Sequence, residues 1–365
     1  MKPAASPASA QKKERSPFQL GYRMPAEWEP HEATWLAWPH NEETWPGKGK
    51  QIEEVYLQML EALLPGEKVH LLANDEKERD YIERRMRTRG ASTKQLIYFL
   101  IPTIDAWVRD YGPNFICKNQ GEGHRREVAW VKWKFNAWGE KYESLMADDG
   151  VGEKLANHLN MPLFRPPLVL EGGSIDTNGL GTVLTTEQCL LNPNRNRGLS
   201  RPEIEDALRE FLGFTHFIWL ADGIEGDDTD GHIDDIARFI DPTTVVAAAE
   251  ESETDANSIP LKENLKRLKE ARDQNGKPFY VVTLPMPDRV DASWGRLPAS
   301  YLNFYIGNDA VLVPVFSSKK DRTVLEKLKE LFPKRHVIGI RSEDLVLGMG
   351  AIHCVSHEQP KEIRP

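Results

Sequence analysis

One order of secondary-structure elements recurs along this chain: two strand-like runs, a helix and a further strand. The order is clearest near the C-terminus, where Tyr301–Ile306 and Ala310–Phe316 precede the helical pattern Asp321–Leu331 and the strand-like run His336–Ile340. The period is roughly 60 to 70 residues. Repeats of this length are typical of supersecondary units that pack against one another around an axis.

Further copies of the order precede this one. They comprise His232–Ile240, Thr244–Ala249, Ile259–Ala271 and Phe279–Leu284; Ser174–Asp176, Thr182–Thr186, Ser200–Leu212 and His216–Leu220; and, more loosely, Asn114–Cys117, Val128–Trp133, Val151–Leu159 and Leu163–Leu168. The first stretch, Thr34–Ile101, departs most, because an extra helix is predicted around Asp75–Arg89. A doubly wound sheet would alternate single strands and helices. We therefore predict an α/β fold, a five-fold pseudo-symmetric α/β propeller of ββαβ units.

The bulk composition limits the classes of function. The 365 residues are 40% hydrophobic and 28% charged, as in ordinary globular proteins, and carry a net charge of −9. That charge argues against binding nucleic acid or an anionic membrane surface. Residues Met1–Ser16 lack the apolar run of a signal peptide, and no later stretch is long enough to span a membrane. We predict a disordered tail over residues 1–16 and a single catalytic domain over 17–365.

The cysteines indicate a reducing compartment. Cys117, Cys189 and Cys354 are odd in number and widely spaced, which argues against a disulfide framework and against a zinc cluster. A cytoplasmic location fits this pattern best. Cys117 and Cys189 lie in apolar strand-like runs, and we expect both to be core residues.

Polar clusters that secondary structure does not explain fall at similar points of the repeating units. They are Trp107–Pro113, Glu171–Gly173, Asp230–Asp235 and His353–Cys354. The interval from Asp110 to Glu171 equals that from Glu171 to His232. Equivalent positions in units around one axis converge at its centre, so these clusters are expected to form one pocket.

Cys354 is the candidate nucleophile. A lone cysteine is more often a small buried hydrophobic residue. This one follows the flexible Gly348–Gly350 and lies between His353 and His357. Cationic neighbours, or a cationic substrate, stabilise the thiolate that a nucleophilic cysteine needs.

His232 is the candidate acid–base group, although a lone histidine is more often structural. Asp234 lies two residues on, so in a strand both side chains would face the same side. A carboxylate beside an imidazole is common in acid–base catalysis. The acidic run Asp227–Asp230 lacks the ligand spacing of an EF-hand, and we expect a solvated loop or lid there.

Asp110 and Glu171 are candidate pocket carboxylates. Asp110 follows Arg109, and a surface ion pair between them would contribute little to stability; in a pocket, the carboxylate would instead bind a cation bidentately. Trp107 is either core or a wall that shields a cation. Glu171 is either a turn residue or a buried partner that orients His232 and favours its protonated form.

Together these motifs resemble the agmatine deiminase family of the guanidine-modifying superfamily, from about Met24 to Pro360. The resemblance rests on six motifs in order: MPAEWEPH at Met24–His31, WVRDYGP at Trp107–Pro113, LEGGS at Leu170–Ser174, LLNPNRN at Leu190–Asn196, GHID at Gly231–Asp234 and IHC at Ile352–Cys354. Each motif alone is weak evidence, and the ordered set is strong.

The resemblance implies the fold, the chemistry and the roles of individual residues. The superfamily fold, the pentein fold, is a five-fold pseudo-symmetric propeller of ββαβ units. The implied nucleophile is Cys354 and the implied acid–base group is His232, with Asp110 and Asp234 holding a guanidinium group. Glu171 would support the site and contact the substrate, and Trp107 would line it. No metal and no organic cofactor are expected.

The implied reaction is hydrolysis of a small cationic guanidine, with agmatine the best candidate. Cys354 would attack the central carbon to give a thiouronium, and water would release N-carbamoylputrescine after ammonia. Alternatives are deimination of free arginine or peptidylarginine, then amidinotransfer, then a non-catalytic module that binds cationic metabolites. A homodimer is an expectation from the resemblance alone.

The chain departs from the family pattern in two places. Many agmatine deiminases carry Gly-Gly-Gly-Asn before Ile-His-Cys, where this chain has Gly348–Ala351. After the His-x-Asp motif it continues Asp235–Phe239, as in the branch named after peptidylarginine deiminase. We expect both departures to affect the part of the pocket that binds the rest of the substrate.

Overall fold

The computed structural model describes residues 15–120 and 125–363. The predicted tail over 1–16 therefore lies almost wholly outside the described residues. The strands are His31–Ala37, Lys68–Ala73, Leu96–Leu100, Asn114–Gln120, Arg125–Val131, Leu163–Phe164, Asp176–Thr177, Thr182–Thr186, His216–Leu220, Ala237–Phe239, Thr244–Ala249, Tyr280–Pro285, Asp291–Ala292, Gly295–Arg296, Tyr305–Ile306, Ala310–Val315, His336–Arg341 and Ser356–Pro360. They form several small sheets in a mixed α/β fold.

Helices connect or flank these strands. The α-helices are Gly49–Leu63, Glu76–Thr88, Val108–Tyr111, Ala137–Glu140, Val151–Ala156, Glu187–Leu190, Arg201–Leu212, Ser258–Glu270 and Asp321–Leu331. Single 3-10 turns occupy Phe18–Leu20, Gly172–Ser174, Ile233–Asp235 and Leu345–Gly348, and a longer 3-10 segment occupies Glu143–Gly150. None of the helices in the described ranges is long and apolar enough to cross a membrane.

The three-stranded sheets with a connecting helix share one pairing pattern. In each, the middle strand pairs antiparallel with the strand before it and parallel with the strand that follows the helix. For example, Ala310–Val315 pairs antiparallel with Tyr305–Ile306 and parallel with His336–Arg341. A parallel pair needs a crossover connection, which the helix Asp321–Leu331 provides. The predicted ββαβ order is present in these sheets.

The first sheet is completed by the end of the chain. Ser356–Pro360 pairs antiparallel with His31–Ala37, and His31–Ala37 pairs parallel with Lys68–Ala73. The extra predicted helix, observed as Glu76–Thr88, leads into a fourth strand of this sheet, Leu96–Leu100. The C-terminal strand therefore brings the residues just before it against the first unit.

Local sequence signals account for the helices. Gly49–Leu63 places Ile52, Val55, Met59 and Leu60 on one buried face, at the spacing of an amphipathic helix. Arg201–Leu212 begins at a capping box formed by Ser200 and Glu203, a local sequence signal for a helix start.

The first strands of three units begin later than the sequence pattern predicts. They start at Asp176, Ala237 and Tyr305 instead of Ser174, His232 and Tyr301. The residues immediately before these strands bend away from the sheet and bond to one another. The predicted strand over His232–Ile240 is therefore wrong in its first half, because Ile233–Asp235 forms a 3-10 turn.

Arg238 forms ion pairs and a hydrogen bond with residues of several of these units. Its guanidinium group contacts Asp176 at 2.5 Å and Glu27 at 2.7 Å, and it donates to the Phe304 carbonyl at 2.8 Å. The side chain is fully buried. Removing one member of a buried ion pair leaves the other charges uncompensated, which is strongly destabilising.

We predict that Arg238→Met lowers the free energy of unfolding by about 3–5 kcal/mol. Urea denaturation followed by circular dichroism measures the change. The matched control is Arg322→Met, since Arg322 is highly exposed on a helix and should change stability by less than about 0.5 kcal/mol. An Arg238→Met protein that unfolds at the same urea concentration as the wild type contradicts the prediction.

Candidate active site

The polar clusters converge because they occupy equivalent places in the units. Each lies within a few residues of the first strand of a sheet. Asp110 precedes Asn114–Gln120, Gly173 precedes Asp176–Thr177, Asp234 precedes Ala237–Phe239, and Cys354 precedes Ser356–Pro360. Asp110 and Cys354 line one cleft, whereas Glu171, His232 and Asp234 are buried and do not line it.

Cys354 lies at the bottom of a cleft of about 490 Å³. Its Sγ accepts a hydrogen bond from Asn303 Nδ2 at 3.1 Å and lies 3.8 Å from Asp234 Oδ2. The Asn303 Oδ1 atom accepts from the His353 amide at 2.9 Å. Asn303 therefore both fixes the turn that carries the cysteine and donates to its sulfur atom.

The glycine-rich segment before Cys354 allows Trp107 to approach the thiol. A Cβ atom on Gly350 would lie 2.5 Å from the Trp107 ring and 3.2 Å from Cys354 Sγ. Trp107 lines the cleft, as predicted. Met349 adopts φ 70°, a left-handed conformation that glycine adopts without strain. The departure at Met349 thus places a longer side chain on the cleft wall at the expense of backbone strain.

Asp110 is buried at the cleft floor with both oxygen atoms oriented. Oδ1 accepts from the Gly173 amide at 2.9 Å, and Oδ2 accepts from Trp138 Nε1 at 2.8 Å. The alternative, an ion pair between Asp110 and Arg109, is absent from the contacts of these described side chains, because Arg109 instead pairs with Glu358 at 2.8 Å. The carboxylate of Asp110 therefore faces the cleft.

His232 is buried beside Asp110, with Nδ1 3.9 Å from Asp110 Oδ1. A Cβ atom on Gly173 would lie 2.5 Å from His232 Nδ1 and 3.0 Å from an oxygen of each of Asp110 and Asp234. Only glycine leaves room for three charged groups to meet there. Neither ring nitrogen of His232 has a hydrogen-bond partner among the described residues.

Asp234 is held in place by a chain of hydrogen bonds between buried side chains. Its Oδ2 bonds His353 Nδ1 at 2.7 Å, and His353 Nε2 bonds Glu27 at 2.8 Å. Glu27 in turn pairs with Arg238. The other oxygen, Asp234 Oδ1, has no partner among the described residues. A buried, unpaired carboxylate oxygen next to a thiol is an acceptor available to a ligand.

Glu171 lies behind His232 and not on the cleft wall. Its Oε1 accepts from Arg195 Nε at 2.7 Å, while Oε2 is unpaired within the described structure. The side chain is fully buried and is not among the residues that line the cleft. This position agrees with the predicted supporting role. It gives no support to direct contact between Glu171 and substrate.

The Asp227–Asp230 run is a loop, as predicted, but it is only partly exposed and is anchored by several contacts. Asp227 accepts from the amides of Gly231 and Thr229 at 2.8 Å each. Asp230 pairs with Arg195 at 2.5 Å and with Lys141 at 2.8 Å. These contacts fix the backbone that leads directly into His232.

Cys117 and Cys189 are both core residues, as predicted. Cys117 is a buried strand residue, as predicted. Cys189 is also buried, but it lies in the short helix Glu187–Leu190 and faces the active site. Its sulfur atom and ligand atoms of Glu171 and His232 all lie within 4.8 Å of one another.

That trio is the group of metal-ligating side chains that the described residues bring together most closely. Cysteine, histidine and glutamate are zinc ligands in general. Here the guanidinium of Arg195 pairs with Oε1 of Glu171. Its positive charge would repel a metal cation bound at the same site. The expectation of no metal stays a prediction, and we assign the trio to proton chemistry.

Burial and the carboxylates set the protonation of the reactive groups. Burial raises the pKa of the Cys354 thiol well above its ordinary value, and the negative charges of Asp234, Asp235 and Asp110 raise it further. Burial alone would lower the pKa of His232, but the interactions with Asp110, Cys189 and Asp234 together outweigh it, and the pKa is raised well above the ordinary value. The free site therefore holds a neutral thiol and an imidazolium.

Three supporting residues carried no signal strong enough to be singled out in the sequence. Glu27 and Arg195 lie inside conspicuous motifs, but nothing in the spacing shows that they reach the site. Asn303 has a detectable signal, because it precedes the first strand of the fifth unit, Tyr305–Ile306. The other units place a functional side chain at this point, so the repeat itself indicates that position.

We predict that alkylation of Cys354 by iodoacetamide has its pH midpoint above the value of about 8.5 for free cysteine, because the thiol is buried beside carboxylates. Mass spectrometry of the Cys354 peptide against pH measures it. Asp234→Asn should shift the midpoint to lower pH, since one negative charge is removed. The Cys354→Ala variant gives the background from Cys117 and Cys189. A wild-type midpoint below that of free cysteine contradicts the prediction.

Comparison with known proteins agrees with this site. The chain is similar to the agmatine deiminase of Pseudomonas aeruginosa (strain LESB58), 36% identical over 368 residues, with 94% of this chain and 97% of that protein covered. The structure resembles the agmatine deiminase of Enterococcus faecalis catalysing its reaction, with a TM-score of 0.87, 32% identity and 96% and 99% of the two chains covered. It also resembles a cysteine-to-serine variant of the C. jejuni agmatine deiminase with substrate bound, with a TM-score of 0.83, 32% identity and 94% and 97% covered.

The family model that matches describes the Porphyromonas-type peptidyl-arginine deiminases, and the match covers residues 23–360. It spans nearly all of the described chain and includes every cluster that forms the cleft floor. The protein belongs to the Porphyromonas-type peptidyl-arginine deiminase family, together with the agmatine deiminases.

Proposed function

We propose that this protein hydrolyses agmatine to N-carbamoylputrescine and ammonia through a covalent intermediate on Cys354. The observation that carries the proposal is a buried thiol flanked by two buried carboxylates, of which Asp234 keeps one oxygen unpaired. The similarity to enzymes named agmatine deiminases supports it. The C. jejuni variant with bound substrate has serine in place of a cysteine, which agrees with a cysteine nucleophile.

Asp110 and Asp234 are proposed to hold the guanidinium group. Both carboxylates are buried, and both lie near Cys354, so a planar cation between them would satisfy the unpaired Asp234 Oδ1. Charge-assisted hydrogen bonds from a guanidinium to carboxylates are strong and directional. Trp107 would cover the cation and exclude water.

Substrate binding is proposed to activate the thiol. In the free site the surrounding carboxylates oppose formation of a thiolate. A bound guanidinium neutralises these charges and places a positive charge beside the sulfur atom, which favours ionisation. Asn303 Nδ2, which already donates to Sγ, would stabilise the thiolate further.

The proposed reaction has two half-reactions, with Cys354 as the nucleophile and His232 as the acid–base group. The Cys354 thiolate adds to the central guanidinium carbon, and His232 transfers its proton to the departing nitrogen, which leaves as ammonia. The resulting thiouronium is attacked by water, and the neutral His232 accepts a proton from that water. Collapse breaks the C–S bond and regenerates the Cys354 thiolate. The hydroxyl proton of the adduct passes to solvent, where the released ammonia becomes ammonium, and the product leaves with a neutral ureido group.

The outer cleft favours an amine over a carboxylate at the far end of the substrate. The residues that line it include Glu43, Asp105 and Asp228 and no lysine or arginine among those described. Burial raises the pKa of Asp228 only to about 6, so it is mainly ionised at neutral pH. Lys141, the nearest cation to this loop, is paired with Asp230. Agmatine ends in an ammonium group, whereas arginine carries a carboxylate that would meet these acidic side chains.

The other candidate reactions receive less support. Free arginine keeps the ammonium but adds a carboxylate beside it, which the acidic wall would repel. Peptidylarginine has a neutral amide in place of the ammonium. Amidinotransfer would use the same residues with an amine in place of water, so product identity separates it. A non-catalytic binding module would not need the thiol and the imidazolium that lie together at the floor.

The remaining expectations are proposals as well. The repeated antiparallel and parallel pairing supports five units around a pseudo-five-fold axis, and the C-terminal strand in the first sheet supports a single domain over 17–365. Rotating a crystal structure onto itself by one-fifth of a turn tests the symmetry. Free thiols at all three cysteines support a cytoplasmic location. Light scattering tests the homodimer.

We predict that purified protein releases ammonia and N-carbamoylputrescine from agmatine and turns over arginine at least about a hundredfold less efficiently, because the acidic wall repels a carboxylate. Cys354→Ala should be inactive with an unchanged circular dichroism spectrum. Turnover retained by Cys354→Ala, or equal turnover of arginine, contradicts the proposal.

The role of the acidic wall has its own control within this assay. Asp228→Asn keeps the shape of the side chain and removes its charge, so KM for agmatine should rise about tenfold while kcat changes little. For propylguanidine, which has no amine, KM should not change. Asp222→Asn, at an exposed aspartate outside the cleft, is the matched control. A KM for agmatine unchanged in Asp228→Asn shows that the tail is bound elsewhere.

A further inference from the structure

His232 has an unusual environment on its buried side. The titratable groups around the imidazole are Asp110, Asp228, Asp234, Asp235, Glu171 and Cys189. Asp110 and Asp228 line the cleft, and Asp234 and Asp235 lie on the same turn as the histidine. Glu171 and Cys189 are fully buried and do not line the cleft, and each places a ligand atom within 4.8 Å of a ring nitrogen of His232.

The backbone holds Cys189 and His232 together. Thr186 Oγ1 donates to the Gly231 carbonyl at 2.7 Å and accepts from the Cys189 amide at 3.2 Å. One hydroxyl group therefore bridges the helix that carries the thiol and the residue before the histidine. Gln188, the residue before Cys189, accepts from the Gly223 amide at 2.7 Å, which fixes the same helix to the start of the Gly223–Gly231 loop.

Polar atoms in this buried space are left unpaired. Both ring nitrogens of His232 and Oε2 of Glu171 lack a hydrogen-bond partner among the described residues. Unpaired buried polar atoms are costly, so they are retained where a function uses them. The Cys189 sulfur is the weakly polar group that meets both, within 4.8 Å.

We propose that Cys189 is a positioning residue for the deimination reaction: its thiol group, together with Glu171, contacts the imidazole of His232 from the buried side and holds the ring for proton transfer. The expected effect on kcat rests on the proposed function. The contact between Cys189 and His232 does not. A sulfur atom accepts weakly from an N–H group, and the interaction with Cys189 favours the protonated imidazole. The first half-reaction uses that proton.

The kinetic test compares Cys189→Ala, which removes the thiol, with Cys189→Ser, which keeps a small polar group. In Cys189→Ala, kcat for agmatine should fall about tenfold, because a misplaced proton donor slows the chemical step, while KM changes less than about twofold. The alkaline limb of kcat against pH should move to lower pH, since the protonated form of His232 is less favoured. Cys189→Ser should recover most of kcat and the original limb.

The matched control is Cys117→Ala, which removes a buried thiol from the strand Asn114–Gln120. Its kcat profile against pH should coincide with that of the wild type. If Cys189→Ala gives the wild-type pH profile, whether or not kcat falls, the thiol only fills space and the proposal is overturned.

A second measurement is independent of turnover. In protein labelled with ¹⁵N-histidine, the ring resonance of His232 is assigned from its loss in His232→Asn, and its titration is followed without substrate. The proposal predicts a lower pKa for His232 in Cys189→Ala than in the wild type, and an unchanged titration overturns it. If the wild type does not turn over guanidines, the proposed function is rejected. The titration of His232 then still tests the contact between Cys189 and His232.

Discussion

Two carboxylates and one thiol are buried together at the cleft floor, and the rest of the site exists to keep that arrangement stable. Asp110 and Asp234 both lie near Cys354, and their charges raise the pKa of its thiol. Burying carboxylates without full pairing is costly. The imidazolium of His232 offsets part of the charge, and a cationic ligand would offset the remainder. The site is therefore selective for a cation before any contact with the substrate tail is considered.

The buried carboxylates at the cleft floor are stabilised by groups from several of the repeating units. Asp234 is held through His353 and Glu27 by Arg238, which also pairs with Asp176. Each of these groups is buried, and several of them lie on different units. Because the C-terminal strand Ser356–Pro360 joins the first sheet, the two ends of the described fold meet where the nucleophile lies. Packing of the fold and preorganisation of the site thus use the same interactions.

Much of this arrangement follows from sequence pattern. The order of strands and helices, the helix Asp321–Leu331 and the capping box at Ser200 were predictable because hydrophobic spacing and end signals are local. The convergence of Asp110, Glu171 and His232 was predictable from their equal spacing. The five-unit symmetry, the single domain and the roles of the individual site residues remain predictions.

The parts that sequence could not give depend on contacts distant along the chain. The turn at Ile233–Asp235 replaces a predicted strand, and within it Asp234 bonds to His353, which is distant along the chain. Arg195 reaches Glu171 and Asp230, which anchors a run that looked solvated. Cys189 was assigned to the core from its apolar neighbours, which is correct for burial but gives no information on the group it faces.

The most direct test of the account is a crystal structure of Cys354→Ser with agmatine bound. The account predicts the guanidinium between Asp110 and Asp234, with nitrogen-to-oxygen distances of about 2.7–3.0 Å, its central carbon facing Ser Oγ, and the ammonium directed toward Asp228. A reversed ligand, with its ammonium at the floor, or a guanidinium bound without either carboxylate, would contradict it.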